Sequence, residues 1–358
     1  MVDAVRVDFI RGATTTEMVG VKRVAVRHTF NAPSIATVVL NNGGGERQDL
    51  VSRGDTIRII AFPEVRTTTT SEYVFYGIVS DVDVSFNDFT ITAEDSLALL
   101  GNEVILVNPT SLNTGCDVAS VIKDVIAGSN YSIEMGDIIG QTRVKMSSGL
   151  DLVGKTRLSA VQYLMSQVNV TPLRYRIYGH QTKAGIGMER LPNVDATSYT
   201  PYIAGRIPRT TAPLDLYPTN IDRVEEDTDL VNMVTVRNSA LDIIKTEPST
   251  IPTNPIHRLF DEPSVTDETQ ASLFARQILN QQGISKIRWI VEALPGRFDL
   301  KPGDIIDFAS VEGGLVGRQM AFDISWSIGP TGSTMRLEVG RQAPDFVSSI
   351  RFAASLTV

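Results

Sequence analysis

Two distant stretches of this chain, SRGDTIRII at 52–60 and KPGDIIDF at 301–308, repeat one local pattern. Each contains a Gly-Asp turn followed by apolar, mostly β-branched residues, which favours a turn leading into a strand. The residues that follow also match, because 73–95 and 316–340 each predict a strand, a short turn and a second strand. This shared order indicates an internal duplication. We expect structural or assembly roles for the residues that carry it, which are Gly54, Asp55, Ile57, Ile59, Gly303, Asp304, Ile305 and Phe308.

Chance similarity between two β-meanders is the alternative to duplication. The letters GDII of 303–306 also occur at 136–139, where the next residues do not predict a hairpin. The short motif alone is therefore weak evidence, and the interpretation depends on the extended pattern. We interpret the two ends of the chain as related β-barrel or sandwich modules.

Composition restricts the class of protein. The chain has 358 residues, too many for one ordinary domain, and its 42% hydrophobic and 21% charged residues are typical of globular proteins. The net charge of -8 is not accompanied by the basic patch that nucleic-acid-binding proteins need. Cys116 is the only cysteine, which excludes an internal disulfide bond.

The sequence predicts neither a signal peptide nor a membrane anchor. Asp3 and Asp8 interrupt the N-terminal stretch where a signal peptide has its apolar segment. No apolar run approaches the roughly 18 residues of a membrane-spanning helix.

The pattern changes from strand to helix after residue 100. Residues 118–126 have apolar side chains at helical spacing between Asp117, a predicted N-cap, and Gly128, a predicted stop. A second helix is predicted after Thr156, with an apolar face made of Leu158, Val161, Leu164, Met165 and Val168. We therefore predict a helix-containing middle α+β domain over 101–190.

The predicted architecture is a β-rich α+β fold in which two similar β-barrel modules flank the middle domain. The first module covers 1–100, and the second covers 225–345 with an inserted helix at 267–282. Between the middle domain and the second module, 191–224 contains five prolines without a period and is predicted to be a Pro-rich arm or linker. A C-terminal tail is predicted at 346–358.

One motif suggests nucleotide binding. Residues 149–156, GLDLVGKT, match the P-loop string that begins at Gly149 and continues through Gly154. Lys155 would be the phosphate ligand and Thr156 the magnesium ligand. The loop, however, contains three apolar residues and an aspartate, and the preceding segment is half polar. We interpret the match as a false positive, in which Lys155 and Thr156 form a turn and a helix cap, and we predict no cofactor.

The sequence contains no recognisable set of catalytic or metal-ligating residues. The three histidines, His28, His180 and His257, lie in unrelated segments without ligand spacing. Asp81 and Asp83 alternate on a predicted strand, either as paired carboxylates or as the solvent side of a sheet, and we favour the second interpretation. We therefore predict no catalytic residues, no metal site and no enzymatic activity.

The order of the motifs resembles that of one protein family. The segments TITAEDSLALL (90–100), VGKTRLSAVQYLMSQV (153–168), DLVNMVTV (229–236), the helix at 267–282 and LKPGDIIDF (300–308) follow one another as in the central hub proteins of phage tail baseplates. That family includes the late-control D proteins and the N-terminal part of VgrG-type secretion spikes. The resemblance covers nearly the whole chain, although 191–220 has no counterpart that we can place.

The resemblance implies a structural virion protein. Hub proteins of this family are homotrimers in which each chain contributes two similar barrels, so that the ring presents six barrels to a sixfold tail tube and a threefold spike or tip. The implied partners are further copies of the chain, the tail tube protein, the spike or tail-tip protein and other baseplate proteins. The implied location is the virion tail, after synthesis in the host cytoplasm, with genome DNA passing through the lumen without specific binding.

Two other functions stay open. A carbohydrate-binding or carbohydrate-processing tail-tip protein would use Asp81 and Asp83 as its carboxylate pair, although only Trp289 and Trp326 are available for stacking on sugars. A P-loop protein would bind ATP through Lys155 and would lose that binding in Lys155→Ala.

Overall fold

The structure is a computed structural model of the chain. It describes residues 4–340 apart from segments at 44–49, 63–70, 113–114, 132, 139–141, 143–150, 169–174, 192–199, 206–213, 227–230, 254, 263–264, 266, 283–285, 296, 309–314 and 331. Gly149 and the predicted tail at 346–358 therefore lie outside the described residues. None of the described helices combines the length and the apolar character that crossing a membrane requires.

The first module is a seven-stranded antiparallel sheet. Its strands are β1 (Ala4–Arg11), β2 (Thr14–Glu17), β3 (Val21–Thr29), β4 (Ile35–Asn41), β5 (Thr56–Phe62), β6 (Glu72–Val84) and β7 (Asp88–Glu94). They lie in the order β3-β4-β7-β6-β5-β1-β2. In β7, buried and half-buried residues alternate, which is the pattern of a strand with one face in the core.

The middle domain follows. It contains α1 (Ser96–Leu99), a 3-10 turn (Leu100–Asn102), α2 (Val118–Ala127), β8 (Glu134–Ile138), α3 (Arg157–Val168), β9 (Tyr175–Gly179) and β10 (Gly185–Arg190). The predicted caps of both longer helices are confirmed. Asp117 Oδ1 accepts a hydrogen bond from the Ala119 N–H at 3.0 Å, and Thr156 Oγ1 accepts one from the Ser159 N–H at 3.1 Å. The apolar faces of α2 and α3 pack with β9 and β10 in a core of their own.

The second module is a closed barrel interrupted by an insertion. Its first strands are β11 (Tyr202–Ala204) and β12 (Leu216–Glu226), followed by the inserted β13 (Met233–Asn238), β14 (Ile243–Glu247), β15 (His257–Asp261) and α4 (Glu268–Gln282), and then by β16 (Lys286–Pro295), β17 (Ile305–Phe308), β18 (Gly317–Gly329) and β19 (Gly332–Gly340). The barrel order is β17-β11-β12-β16-β19-β18, and the pairing of β17 with β18 closes it.

Two predicted boundaries differ from the structure. The stretch 191–224, predicted as an arm or linker, contributes β11 and most of β12 to the barrel, because their backbone groups complete the ladder between β17 and β16. The inserted helix predicted at 267–282 is present as α4, but the insertion is larger than predicted and includes the strand DLVNMVTV. Together α4, β13, β14 and β15 form a separate unit with its own apolar core, inserted between β12 and β16.

One hydrophobic core joins the two modules. Residues of the first module, such as Val26 and Ile57, belong to the same buried cluster as Trp326 and Leu337 of the second. The expected fold is confirmed: a β-rich chain with two similar β-modules that flank a helix-containing middle domain.

Candidate assembly interface

The two Gly-Asp turns have the same hydrogen bonds. The Gly54 N–H donates to the Val79 carbonyl at 2.9 Å, and the Val79 N–H donates to the Asp55 carbonyl at 2.8 Å. In the second module, Gly303 donates to Ala321 at 2.6 Å, and Ala321 donates to Asp304 at 2.9 Å. Both glycines have positive φ, +89° and +99°, which a residue with a side chain rarely adopts.

The aspartates of the two turns also match. Asp55 Oδ2 accepts a hydrogen bond from the Ser52 N–H at 2.7 Å, and Asp304 Oδ2 accepts one from the Lys301 N–H at 2.8 Å. Each carboxylate therefore closes its own turn in the same way. Val79 and Ala321 are accordingly equivalent positions.

The strand pairings extend this equivalence through both modules. The bulge between β6 and β7 lies after Val79, and the bulge between β18 and β19 lies after Ala321. A second matching bulge lies after Val21 in β3 and after Pro218 in β12. Bulges fix the register of a strand pair, so their coincidence makes β3, β4, β5, β6 and β7 the counterparts of β12, β16, β17, β18 and β19.

The matched register aligns the first strands after the two turns. Thr56 is the counterpart of Ile305, because each is the first strand residue after the turn. Ile57 and Ile59 therefore correspond to Ile306 and Phe308, and all four lie in the shared core. Ile305 is also fully buried, and it pairs with Met320, which packs in a separate cluster with Phe30, Leu191 and Phe322.

Each turn aspartate also binds an arginine, but in different surroundings. Arg11 Nη2 lies 2.7 Å from Asp55 Oδ2, with the Arg11 side chain 54% exposed. Arg176 of β9 lies 2.7 Å from Asp304 Oδ1, and the two side chains are only 10% and 8% exposed. Arg176 also donates to the Pro302 carbonyl at 3.0 Å. It thereby fixes the middle domain to the second barrel.

The two modules are joined by an antiparallel strand pair, which we call the internal seam. It consists of residues 24–29 of β3 paired with residues 323–328 of β18. Ile324, Trp326 and Ile328 are almost fully buried on one face of the seam. On the other face, Asp323 Oδ2 accepts hydrogen bonds from Arg27 Nε and Thr29 Oγ1, both at 2.9 Å. The contact is an intramolecular example of edge-to-edge barrel pairing.

A buried polar group lies beside the seam. The His28 ring contacts Trp326 edge to face at 5.1 Å between centroids, and its nitrogens lie 2.7 Å from Ser34 Oγ and 3.0 Å from the Val74 carbonyl. Ser34 N–H donates to Asp95 Oδ2 at 3.0 Å. Burial lowers the pKa of His28 to about 4 and raises the pKa of Asp95 to about 6.

These two groups make opposing contributions to stability in acid. The pKa of His28 is 6.5 in the unfolded chain and about 4 in the native state, so acidification through this window lowers the free energy of unfolding. The pKa of Asp95 is about 6 in the native state and 3.8 in the unfolded chain, so acidification through that window raises the free energy of unfolding.

We expect His28→Gln and Asp95→Asn to shift the pH dependence of stability in opposite directions. Between pH 7 and about 4.5, His28→Gln should gain about 2 kcal/mol relative to the parent, and Asp95→Asn should lose about 2 kcal/mol. Urea midpoints of the three proteins at the two pH values measure both shifts. Parallel pH profiles for all three proteins would contradict the assignment.

The described part of the P-loop string, residues 151–156, forms a turn and a helix cap. Thr156 Oγ1 caps α3, where it lies 2.7 Å from Ser159 Oγ and accepts the Ser159 N–H. The Lys155 N–H donates to the Leu152 carbonyl at 3.2 Å, and its ammonium lies 5.9 Å from the Tyr163 ring centroid. Gly154 has φ +83° in this turn.

The other candidate residues are dispersed. Asp81 forms an ion pair with Arg53, while His180 and His257 lie in the middle domain and the insertion respectively. Cys116 packs at the margin of the middle-domain core. Within the described residues there is no group of three or more His, Cys, Asp or Glu that could hold a metal ion.

Comparison with solved structures finds phage tail proteins that superpose on nearly the whole chain. The 43 kDa tail protein of prophage MuSo2 from Shewanella oneidensis superposes with a TM-score of 0.62 at 12% identity, covering 94% of this chain and 98% of that one. A tail protein from Neisseria meningitidis MC58 gives 0.63 at 13% identity, covering 95% and 97%. The chain has the fold of phage tail proteins.

The same tail-protein fold occurs in a secretion machine. The c3393 protein of Escherichia coli, a component of the type VI secretion system described as similar to bacteriophage T4 tail proteins, superposes with a TM-score of 0.55 at 11% identity, covering 95% of this chain and 79% of that one. No family model and no curated protein matches the sequence. The likeness is therefore one of fold, and it agrees with the tail-hub resemblance of the motifs.

Sequence reasoning missed the residues of the internal seam. Arg27 is separated from Asp323 and Trp326 by about 300 positions, so no local pattern joins β3 to β18. One sequence signal that pointed to the seam strand was the repeated aspartate: Asp81 and Asp323 occupy the same position in the two repeats, directly after the same bulge.

Proposed function

We propose that this chain is a structural, non-enzymatic protein of a phage-type tail, and that it forms a homotrimeric hub in the baseplate or tail tip. Each protomer would contribute its two equivalent β-modules to a ring of six. The observation that carries the proposal is the duplication itself, with matched turns, bulges and strand order in a chain that has a tail-protein fold.

The duplication supports a role in matching two symmetries. A sixfold tail tube and a threefold spike can both be bound by three chains if each chain presents two similar surfaces. The partners proposed on this basis are the tail tube protein, the spike or tail-tip protein and neighbouring baseplate proteins. Gly54, Asp55, Gly303 and Asp304 would fix the turns from which the matching strands extend.

The middle domain and the insertion would extend outside the ring. Both have cores of their own, and neither has a duplicate in the described chain. The middle domain carries a group of exposed apolar residues, Val104, Leu106, Val107 and Val153, that a neighbouring tail component could cover.

The mass and shape of the purified chain test the proposal. We expect light scattering to give three chains per particle, and negative-stain microscopy to show rings with six lobes. Ring formation should increase with protein concentration, because association follows mass action. A different stoichiometry, or particles without sixfold pseudosymmetry, would reject the hub.

A further inference from the structure

The far half of β6 has one side without a partner strand in the described structure. β5 pairs with β6 only as far as Ile78, whereas β7 covers the other side of β6 through Val84. The equivalent part of β18, residues 323–328, is covered on the corresponding side by β3. The same strand of the duplicated module is therefore covered in one copy and uncovered in the other.

The side chains of the uncovered edge are those of a contact surface. Val82 and Val84 are the counterparts of Ile324 and Trp326, and Phe86 lies in the turn that follows β6. Val84 is 41% exposed and Phe86 is 77% exposed, whereas Trp326 and Ile328 are each 1% exposed. The position that is buried as Trp326 in one module is thus exposed as Val84 in the other, next to the exposed Phe86, which indicates a surface that is covered on association.

The complementary edge lies on β12. This strand is the counterpart of β3, and the two share the bulge that follows Val21 and Pro218. β3 has partners on both sides, but β12 pairs with β16 on one side and with β11 only at Leu216 on the other. Beyond that point, the second side of β12 has no partner strand among the described residues.

We propose that β6 of one protomer pairs antiparallel with β12 of a second copy and thereby repeats the internal seam between chains. The matched register places Val84 opposite Arg223 and Val82 opposite Glu225. The inference rests on the proposed function in taking a second copy as the partner. The two edges lie on different surfaces of the chain, so the contact is heterologous and forms a closed ring or an open filament.

The matched register places Asp81 opposite Glu226, so the contact requires the charge of Asp81 to be neutralised within its own chain. Asp323, which lies at the internal seam, is paired with Arg27 from the opposite strand. Its counterpart Asp81 is already paired with Arg53 of its own chain. The Arg223 guanidinium lies 5.9 Å from the centroid of the Trp289 ring. This cation–π contact would persist when Val84 of a second copy lies opposite Arg223.

Cysteine cross-linking tests the register directly. In a Cys116→Ala background, Val84→Cys/Arg223→Cys and Ser85→Cys/Asp222→Cys sample two neighbouring pairs, one of which must be of the closer, non-hydrogen-bonded kind. We expect disulfide-linked dimers and trimers from at least one double variant on non-reducing gels. The matched control, Val84→Cys/Ile251→Cys, uses an exposed position away from both edges and should stay unlinked.

A surface substitution gives an independent measurement. Phe86→Asp should leave the folded monomer intact, because the side chain is exposed, and should weaken self-association about 10-fold, as expected for an apolar residue at the end of the proposed seam. Ile251→Asp, at a position of similar exposure, should have no effect on association.

The outcomes separate the seam from the proposed function. Six-lobed rings in which neither cysteine pair cross-links would overturn the seam and leave the hub in place. Cross-linked chains that form filaments would retain the seam and reject the ring. A chain that stays monomeric at every concentration tested would reject both.

Discussion

Ile57→Asp and Ile305→Asp are each expected to prevent the module that contains them from folding. Both isoleucines are fully buried, Ile57 in the shared core and Ile305 beside Met320. Each substitution removes a large apolar contact and places a carboxylate in an environment without water, which together cost at least about 5 kcal/mol. That loss is comparable with the whole stability of a typical domain.

Circular dichroism and tryptophan fluorescence measure this effect. Trp289 and Trp326 both lie in the second barrel, and both belong to the core that Ile57 shares. Ile244→Asp is the matched control, because Ile244 lies on a strand but is 59% exposed. A soluble Ile57→Asp variant that assembles normally would show that β5 does not carry the core.

The duplication could be recognised from sequence because turn chemistry is local. A Gly-Asp pair whose glycine has positive φ, followed by mostly β-branched residues, specifies the turn and the strand within about eight positions. The caps of α2 and α3 are local for the same reason, since Asp117 and Thr156 bind backbone groups two or three residues away. Such signals need no knowledge of distant residues.

The membership of β11 and β12 in the barrel could not be predicted in this way. Their stretch is rich in proline, which lowers its strand propensity, and the pairing that makes β12 a strand comes from β16, about 70 residues later. Pro218 is tolerated because it lies at a bulge next to the open edge of β12. Tertiary pairing therefore overrides the local signal.

The assignment of β13 to the second barrel module has a related cause. In the sequence of β13, Val234 and Val236 alternate with Thr235 and Arg237 as in a barrel strand, and such a pattern does not say which sheet a strand joins. Its partners, β14 and β15, are short neighbours in sequence, so the unit closes locally before the chain returns to the barrel at β16.

Arg176→Met is expected to destabilise the docking of the middle domain on the second barrel by about 3–5 kcal/mol. The substitution leaves the buried Asp304 carboxylate without its cation, and uncompensated buried charge is costly. Burial alone would lower the pKa of Arg176, but the carboxylates of Asp304 and Glu189 raise it, so the side chain is charged in the native state. Urea unfolding followed by tryptophan fluorescence measures the loss in the barrel that contains Asp304.

The duplication provides the control within the same chain. Arg11→Met removes the arginine from the equivalent aspartate, Asp55, at a site where the arginine is mostly exposed, and should cost no more than about 1 kcal/mol. Comparable losses for the two variants would show that burial does not distinguish the two turns.

A double-mutant cycle separates the ion pair from the packing of the long side chain. Asp304→Asn removes the charge that Arg176→Met leaves unpaired, so the double variant should recover part of the stability lost in the single one. If the two losses of stability add strictly, the stabilisation comes from the Arg176 stem and from its contact with Tyr178. In that contact the guanidinium lies 5.5 Å from the ring centroid. Recovery would mean that the repeated turn aspartate has become, in the second module only, the point where the middle domain is fixed.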